Sequence, residues 1–232
     1  MAASTSSARS GRCANAISFG TRSGRAVNTR VLYFHGFASS PNSEKVRLLR
    51  DLLAPDVELV TPDLNVPSFE RLDFEAMVAL GLDTGRAIDP CAVVGSSLGA
   101  LVALEVVRRG IARPLILIAP ALGVAEHWIA HIPEGDPVEV FNHARNANAP
   151  IHRAFFEQIA GAGADRDAPA VPITIFMGIE DETLPFERVE AVWQRWRPHA
   201  AAGSRFVAVP GGNHSLLSSV VEVAKEIRTR CA

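Results

Sequence analysis

From Arg30 onward, short apolar runs alternate with longer amphipathic stretches, and this rhythm limits what the chain can become. Runs such as Ala92-Val93-Val94 and Leu115-Ile116-Leu117-Ile118 have no polar residue to turn toward water, so strands made from them must be covered on both faces. Strands of that kind separated by helices predict an α/β fold with a mostly parallel, doubly covered sheet. Strands are expected at Arg30–Phe34, Val57–Thr61, Ala92–Gly95, Leu115–Ala119, Ile173–Met177 and Arg205–Val209. Helices are expected at Glu44–Leu53 behind an N-cap at Ser43, and at Ser68–Ala87, Leu98–Arg109, Pro185–Arg197 and Leu216–Arg228. Leu101, Val102, Leu104 and Val106 mark Leu98–Arg109 as a largely buried helix.

The segment from Pro120 to Ala170 breaks the rhythm. It has no convincing strand, and Trp128, Phe141, Phe155 and Phe156 stand in helix-compatible surroundings, so a small helical cap at about 120–170 is expected. A chain of 232 residues that is 48% hydrophobic suits one domain, placed at 30–232. Residues 1–29 are rich in Ser, Ala and Arg, with no acidic residue before Glu44. That composition reads as a disordered extension, with an organelle-targeting segment as the alternative. The 23 Lys+Arg nearly balance the 25 Asp+Glu, which argues against nucleic acid as a partner. The most apolar stretch, Pro114 to Ala125, is far short of the roughly 20 residues a membrane span needs. Cys13, Cys91 and Cys231 lie far apart without metal-ligand spacing; they read as free thiols, which fits a reducing compartment such as the cytoplasm. The residues specify no oligomeric state.

The chemistry concentrates where the run Cys91–Val94 enters Gly95-Ser96-Ser97-Leu98-Gly99 and a helical pattern follows at once. Strand, sharp turn and helix form the frame of a nucleophile elbow, whose central residue is strained and whose neighbours two positions away need to be glycine. Gly95 and Gly99 meet that need, and Ser97 is the candidate nucleophile. A serine hydroxyl is a weak nucleophile without a base, an acid that orients the base, and donors for the oxyanion. The loop His35-Gly36-Phe37-Ala38-Ser39-Ser40-Pro41 follows the first strand, so the backbone N–H groups of Phe37 and Leu98 are the candidate oxyanion hole. His35 precedes the serine, whereas the expected chain order is serine, acid, histidine; it therefore reads as a residue that shapes the loop. The base is His214, in Pro210-Gly211-Gly212-Asn213-His214-Ser215 after the last strand. Of three carboxylates in Glu180-Asp181-Glu182, Asp181 is favoured because Leu184-Pro185 follows it at the usual distance; Glu180 and Glu182 remain alternatives.

Other motifs carry less. No Gly-Lys-Ser/Thr follows Gly95, and Gly161-Ala162-Gly163 does not follow a strand, so no nucleotide-binding loop is expected. His127 and His131 share an i, i+4 spacing without a glutamate after His127, and no metal is expected.

The text His35-Gly36-Phe37-Ala38-Ser39-Ser40-Pro41-Asn42-Ser43, with Val94-Gly95-Ser96-Ser97-Leu98-Gly99, Asp181-Glu182 and Gly211-Gly212-Asn213-His214, resembles the small bacterial YqiA-type esterases, the UPF0227 set of the α/β-hydrolase superfamily. The resemblance runs from about Val31 onward and weakens through the cap. It implies an α/β-hydrolase fold that cleaves carboxylic esters, and thioesters too, without a cofactor, on a small-molecule acyl substrate. A thioesterase, an acyltransferase or a C–C bond hydrolase would use the same Ser97-Asp181-His214 set. A non-catalytic binding protein of this fold is the alternative from another class; such proteins usually lack triad members, and here every candidate is present.

Overall fold

The structure is a computed structural model that describes residues 29–123, 132, 134–163 and 166–232. In chain order its strands are β1 (Thr29–Phe34), β2 (Val57–Val60), β3 (Ala92–Ser96), β4 (Leu115–Ile118), β5 (Val138–Asn142), β6 (Ala147–Ile151), β7 (Ile173–Gly178) and β8 (Arg205–Val209). The helices are α1 (Glu44–Leu53), α2 (Phe74–Ile88), α3 (Leu98–Arg108), α4 (Ala154–Gly161), α5 (Phe186–Trp196) and α6 (Val220–Cys231).

Six strands form one parallel sheet in the order β2-β1-β3-β4-β7-β8. Position in that order explains composition. The inner strands β3, β4 and β7 are buried at every residue, while the edge strand β2 alternates between buried and exposed positions. Helix α3 buries nine of its eleven residues, which is why its sequence is apolar nearly all round.

Among the described residues the path runs from β1 outward to β2, then returns past β1 to β3 and proceeds the other way. Connections leaving β1 and β3 therefore diverge to opposite sides of the sheet. Such a switch point leaves a crevice beyond the carboxyl ends of the two strands, the favoured place for a ligand in an open α/β sheet. His35 and Ser97 follow those two strand ends directly.

Several expectations need correction. Helix α2 begins at Phe74 rather than near Ser68, because Asp73 caps it: Asp73 Oδ1 accepts the Ala76 N–H at 2.7 Å, and Gln158 Oε1 from α4 accepts the Phe74 N–H at 2.9 Å. The last helix starts at Val220 after a short 3-10 turn at Leu217–Ser219, since Leu216 takes a left-handed conformation. Ser43 stands at the N-cap of α1 but makes no side-chain capping bond.

The segment expected to be wholly helical contains an antiparallel hairpin, β5–β6, as well as α4. Pro150 hid the second strand, because proline reads as a strand breaker. In a two-stranded ribbon each strand keeps one free edge, and a proline is tolerated where its nitrogen faces that edge. Trp128, with the rest of residues 124–131 and 133, lies outside the described residues.

The free-thiol reading fails for two of the three cysteines: Cys91, just before β3, and Cys231, at the end of α6, form a disulfide across 140 residues of sequence. Proximity of the two ends was invisible in one dimension, and the case for a reducing compartment loses this premise. Closing so long a loop restricts the unfolded chain, so reduction or Cys231→Ser is expected to cost about 2–4 kcal/mol of stability. Denaturant midpoints measured with and without reductant check this; coincident midpoints would mean that the bond does not form. No helix among the described residues is long and apolar enough to cross a membrane.

Candidate active site

Ser97 sits between β3 and α3 with φ 54° and ψ −119°, a backbone conformation that a residue with a side chain adopts only when its surroundings force it. The surroundings here are backbone. A Cβ on Gly95 would lie 2.4 Å from the Gly99 carbonyl oxygen, and one on Gly99 would lie 2.3 Å from the Phe34 carbonyl oxygen. Both positions exclude any larger residue, as the elbow reading expects. The turn is pinned from the next strand by the Ser97 N–H, which donates to the Ile118 carbonyl at 3.0 Å.

His214 reaches Ser97 from the loop after β8. Its Nε2 lies 3.1 Å from Ser97 Oγ, and its Nδ1 lies 2.8 Å from Asp181 Oδ2. Asp181 is buried, and its other oxygen accepts the N–H groups of Thr183 and Leu184 at 2.9 and 2.8 Å. With Oδ1 held this way, Oδ2 is aimed at the imidazole, which favours a proton on Nδ1 and a free lone pair on Nε2. Glu182 instead meets the His214 backbone N–H at 3.4 Å, and Glu180 is solvent-exposed. One residue that sequence reading passed over makes this junction close: a Cβ on Gly178 would meet the Gly212 carbonyl oxygen at 2.2 Å, so β7 can abut the histidine loop only with glycine there. Its signal was a glycine at a strand end facing the Gly211-Gly212 pair.

The loop after β1 closes the other side. A Cβ on Gly36 would stand 3.3 Å from the Ser97 Cβ, so this backbone passes against the serine. The Phe37 ring anchors it, lying about 6 Å from the rings of Phe69, Phe155 and Phe156. The N–H groups of Phe37 and Leu98 have no acceptor among the described residues, unusual for the buried Leu98. His35 does shape the loop: it is buried, its Nδ1–H donates to the Gly36 carbonyl at 2.9 Å, and its Nε2 accepts the Leu64 N–H at 3.0 Å. Burial also lowers its pKa, keeping the ring neutral.

A cavity of about 480 Å³ opens over Ser97 and His214. Phe37, Val140 and Phe141 give it an apolar wall, the last two from the hairpin, whose turn is tied to the β1 loop by the Ala144 N–H donating to the Ala38 carbonyl at 3.2 Å. Lys45, from the first turn of α1, also lines the cavity and donates to Ser96 Oγ at 2.9 Å. Sequence reading missed it. The available signal was a cation in the first turn of a helix, where the macrodipole disfavours positive charge. No cluster of three or more His, Cys, Asp or Glu among the described residues is placed to hold a metal ion; His127 and His131 lie outside those residues.

Residues 30–207 match the model of the family described as Uncharacterised protein family (UPF0227). Similar solved structures include Est1E from Butyrivibrio proteoclasticus with ferulic acid bound, at 17% identity over 87% of each chain and a TM-score of 0.70. The esterase domain of a Rhodothermus marinus protein is 18% identical, covering 87% of this chain and 85% of that one, with a TM-score of 0.66. Mouse alpha/beta hydrolase domain-containing protein 10 is 15% identical, covering 86% of this chain and 88% of that one, with a TM-score of 0.68. Identities this low speak to the fold, which is that of the α/β hydrolases.

Proposed function

Because the chain belongs to the UPF0227 family and has the α/β-hydrolase fold, we propose that it is a serine hydrolase that cleaves carboxylic esters, with thioesters as a second class of substrate. The observation that carries this reading is the continuous hydrogen-bond line from Ser97 through His214 to the buried Asp181. His214 takes the Ser97 proton as the oxygen attacks the ester carbonyl, and the Asp181 carboxylate stabilises the imidazolium that forms. The N–H groups of Phe37 and Leu98 receive the oxyanion. The tetrahedral intermediate collapses as His214 passes its proton to the leaving alcohol or thiol. Water, deprotonated by His214, then attacks the acyl-enzyme, and the released acid restores Ser97. The apolar wall of Phe37, Val140 and Phe141 supports an acyl chain bound beside the serine.

A fluorophosphonate probe tests the class directly. The wild-type protein is expected to be labelled at Ser97, with labelling lost in Ser97→Ala and His214→Ala. A wild-type protein left unlabelled would sink the reading, and rates on matched oxygen esters and acyl-CoA thioesters rank the two substrate classes.

A further inference from the structure

The mechanism above leaves Lys45 unused. This side chain is half-buried, reaches into the cavity, and makes no ion pair with any carboxylate among the described residues; its one hydrogen bond goes to Ser96 Oγ. Holding a cation there works against both desolvation and the dipole of α1. Ser43 adds a second group: it also lines the cavity, and its hydroxyl is not spent on capping the helix. We propose that Lys45, with the Ser43 hydroxyl, binds a carboxylate on the substrate a few bonds from the scissile carbonyl, so that the enzyme prefers anionic short-chain esters over neutral ones of the same shape.

Position sets the length. Lys45 Nζ hydrogen-bonds the residue next to Ser97, and adjacent Cα atoms are only about 3.8 Å apart, so the anion lies close to the reacting carbon. Charge count sets the class. Lys45 is the single lysine in the lining, no arginine joins it, and Glu44 lines the same cavity, which suits a monoanionic carboxylate better than a phosphate. The apolar wall accommodates the intervening methylenes.

This inference rests on the serine-hydrolase reading, so the experiment separates the two. The ratio of kcat/KM is measured for p-nitrophenyl hemisuccinate against p-nitrophenyl butanoate, and for O-butanoyl glycolate against ethyl butanoate. The first pair places the anion on the acyl side, the second on the alcohol side. A preference of about 10- to 100-fold for the anion in either pair is expected, the effect of one charge-assisted hydrogen bond. Lys45→Met should bring that ratio to about one, whereas Lys45→Arg should keep part of it.

The wild-type pH profile is an independent readout. Burial lowers the Lys45 pKa to about 8 against the upward pull of Asp181, so the cation is complete below that pH and lost above it. The ratio should therefore be flat at lower pH and fall through about 8. Tyr33, His35, Glu44, His143 and His214 line the same cavity and Asp181 acts on Lys45 from nearby, so the profile is compared with that of Lys45→Met, in which the fall through about 8 should be absent. A ratio near one in an enzyme that hydrolyses the neutral esters overturns the Lys45 assignment alone, as does Lys45→Met lowering both rates while keeping the ratio. Hydrolysis of none of the esters together with no probe labelling overturns the hydrolase reading and this inference with it.

Discussion

Replacing Ser97 with alanine is expected to lower kcat for ester hydrolysis by about 10⁴- to 10⁶-fold, the range seen when a serine nucleophile is removed from a complete site. The change deletes one oxygen whose side-chain partner is His214 Nε2. Alanine keeps the Cβ that fits between Gly95 and Gly99, so the elbow and the cavity should survive. Thermal unfolding of the variant is expected to match the wild type closely while turnover disappears. Turnover that fell by less than about 100-fold would identify another nucleophile, because the oxyanion donors and substrate binding alone leave only a small residue of catalysis.

The fold was readable because burial and composition agree in the inner strands. Ala92–Ser96, Leu115–Ile118 and Ile173–Gly178 are covered on both faces, so Ala92–Val94 and Leu115–Ile118 appear in sequence as uninterrupted apolar runs and Ile173–Met177 is broken only by the buried Thr174. Helix α1 was equally plain, since Val46, Leu49 and Leu53 repeat at helical spacing on its inner face. What escaped were features decided by partners distant in sequence. Helix α2 starts where Gln158 of α4 reaches its first N–H, and Cys91 meets Cys231 only after the sheet has formed. The β5–β6 ribbon is stabilised by cross-strand pairing and by its tie to the β1 loop, while Pro150 locally argues against it.

The site divides along the same line. Ser97 and His214 could be singled out as candidates because chain order and strand-end placement constrain such a pair, whatever the substrate. Which of Glu180, Asp181 and Glu182 meets the imidazole is visible only in three dimensions, because adjacent residues in one loop differ by which way each side chain turns. Lys45 was harder still. A lysine in an amphipathic helix ordinarily reads as solvated surface, and only the closing of α1 against the elbow brings its ammonium to Ser96.

Asp181→Asn is expected to lower kcat by about 10⁴-fold, the loss seen when a neutral amide replaces the acid of such a triad. The cause is tautomeric. The Thr183 and Leu184 N–H groups both donate to Oδ1, so an asparagine would keep its carbonyl oxygen in that place and turn its NH₂ toward His214 Nδ1. An NH₂ donor makes Nδ1 the acceptor and moves the imidazole proton to Nε2. That nitrogen then donates to Ser97 Oγ at the 3.1 Å contact instead of accepting its proton, and the base is lost without displacement of any atom. Glu180→Gln and Glu182→Gln should remain within a few-fold of wild type, because neither carboxylate meets the imidazole in this arrangement, although Glu182 contacts the His214 backbone. Steady-state rates of the three variants on one neutral ester, with unfolding midpoints as controls, decide the matter. If Asp181→Asn kept near-wild-type turnover while Glu182→Gln collapsed, the orienting acid would be Glu182 and the loop would have to rotate to bring it behind His214.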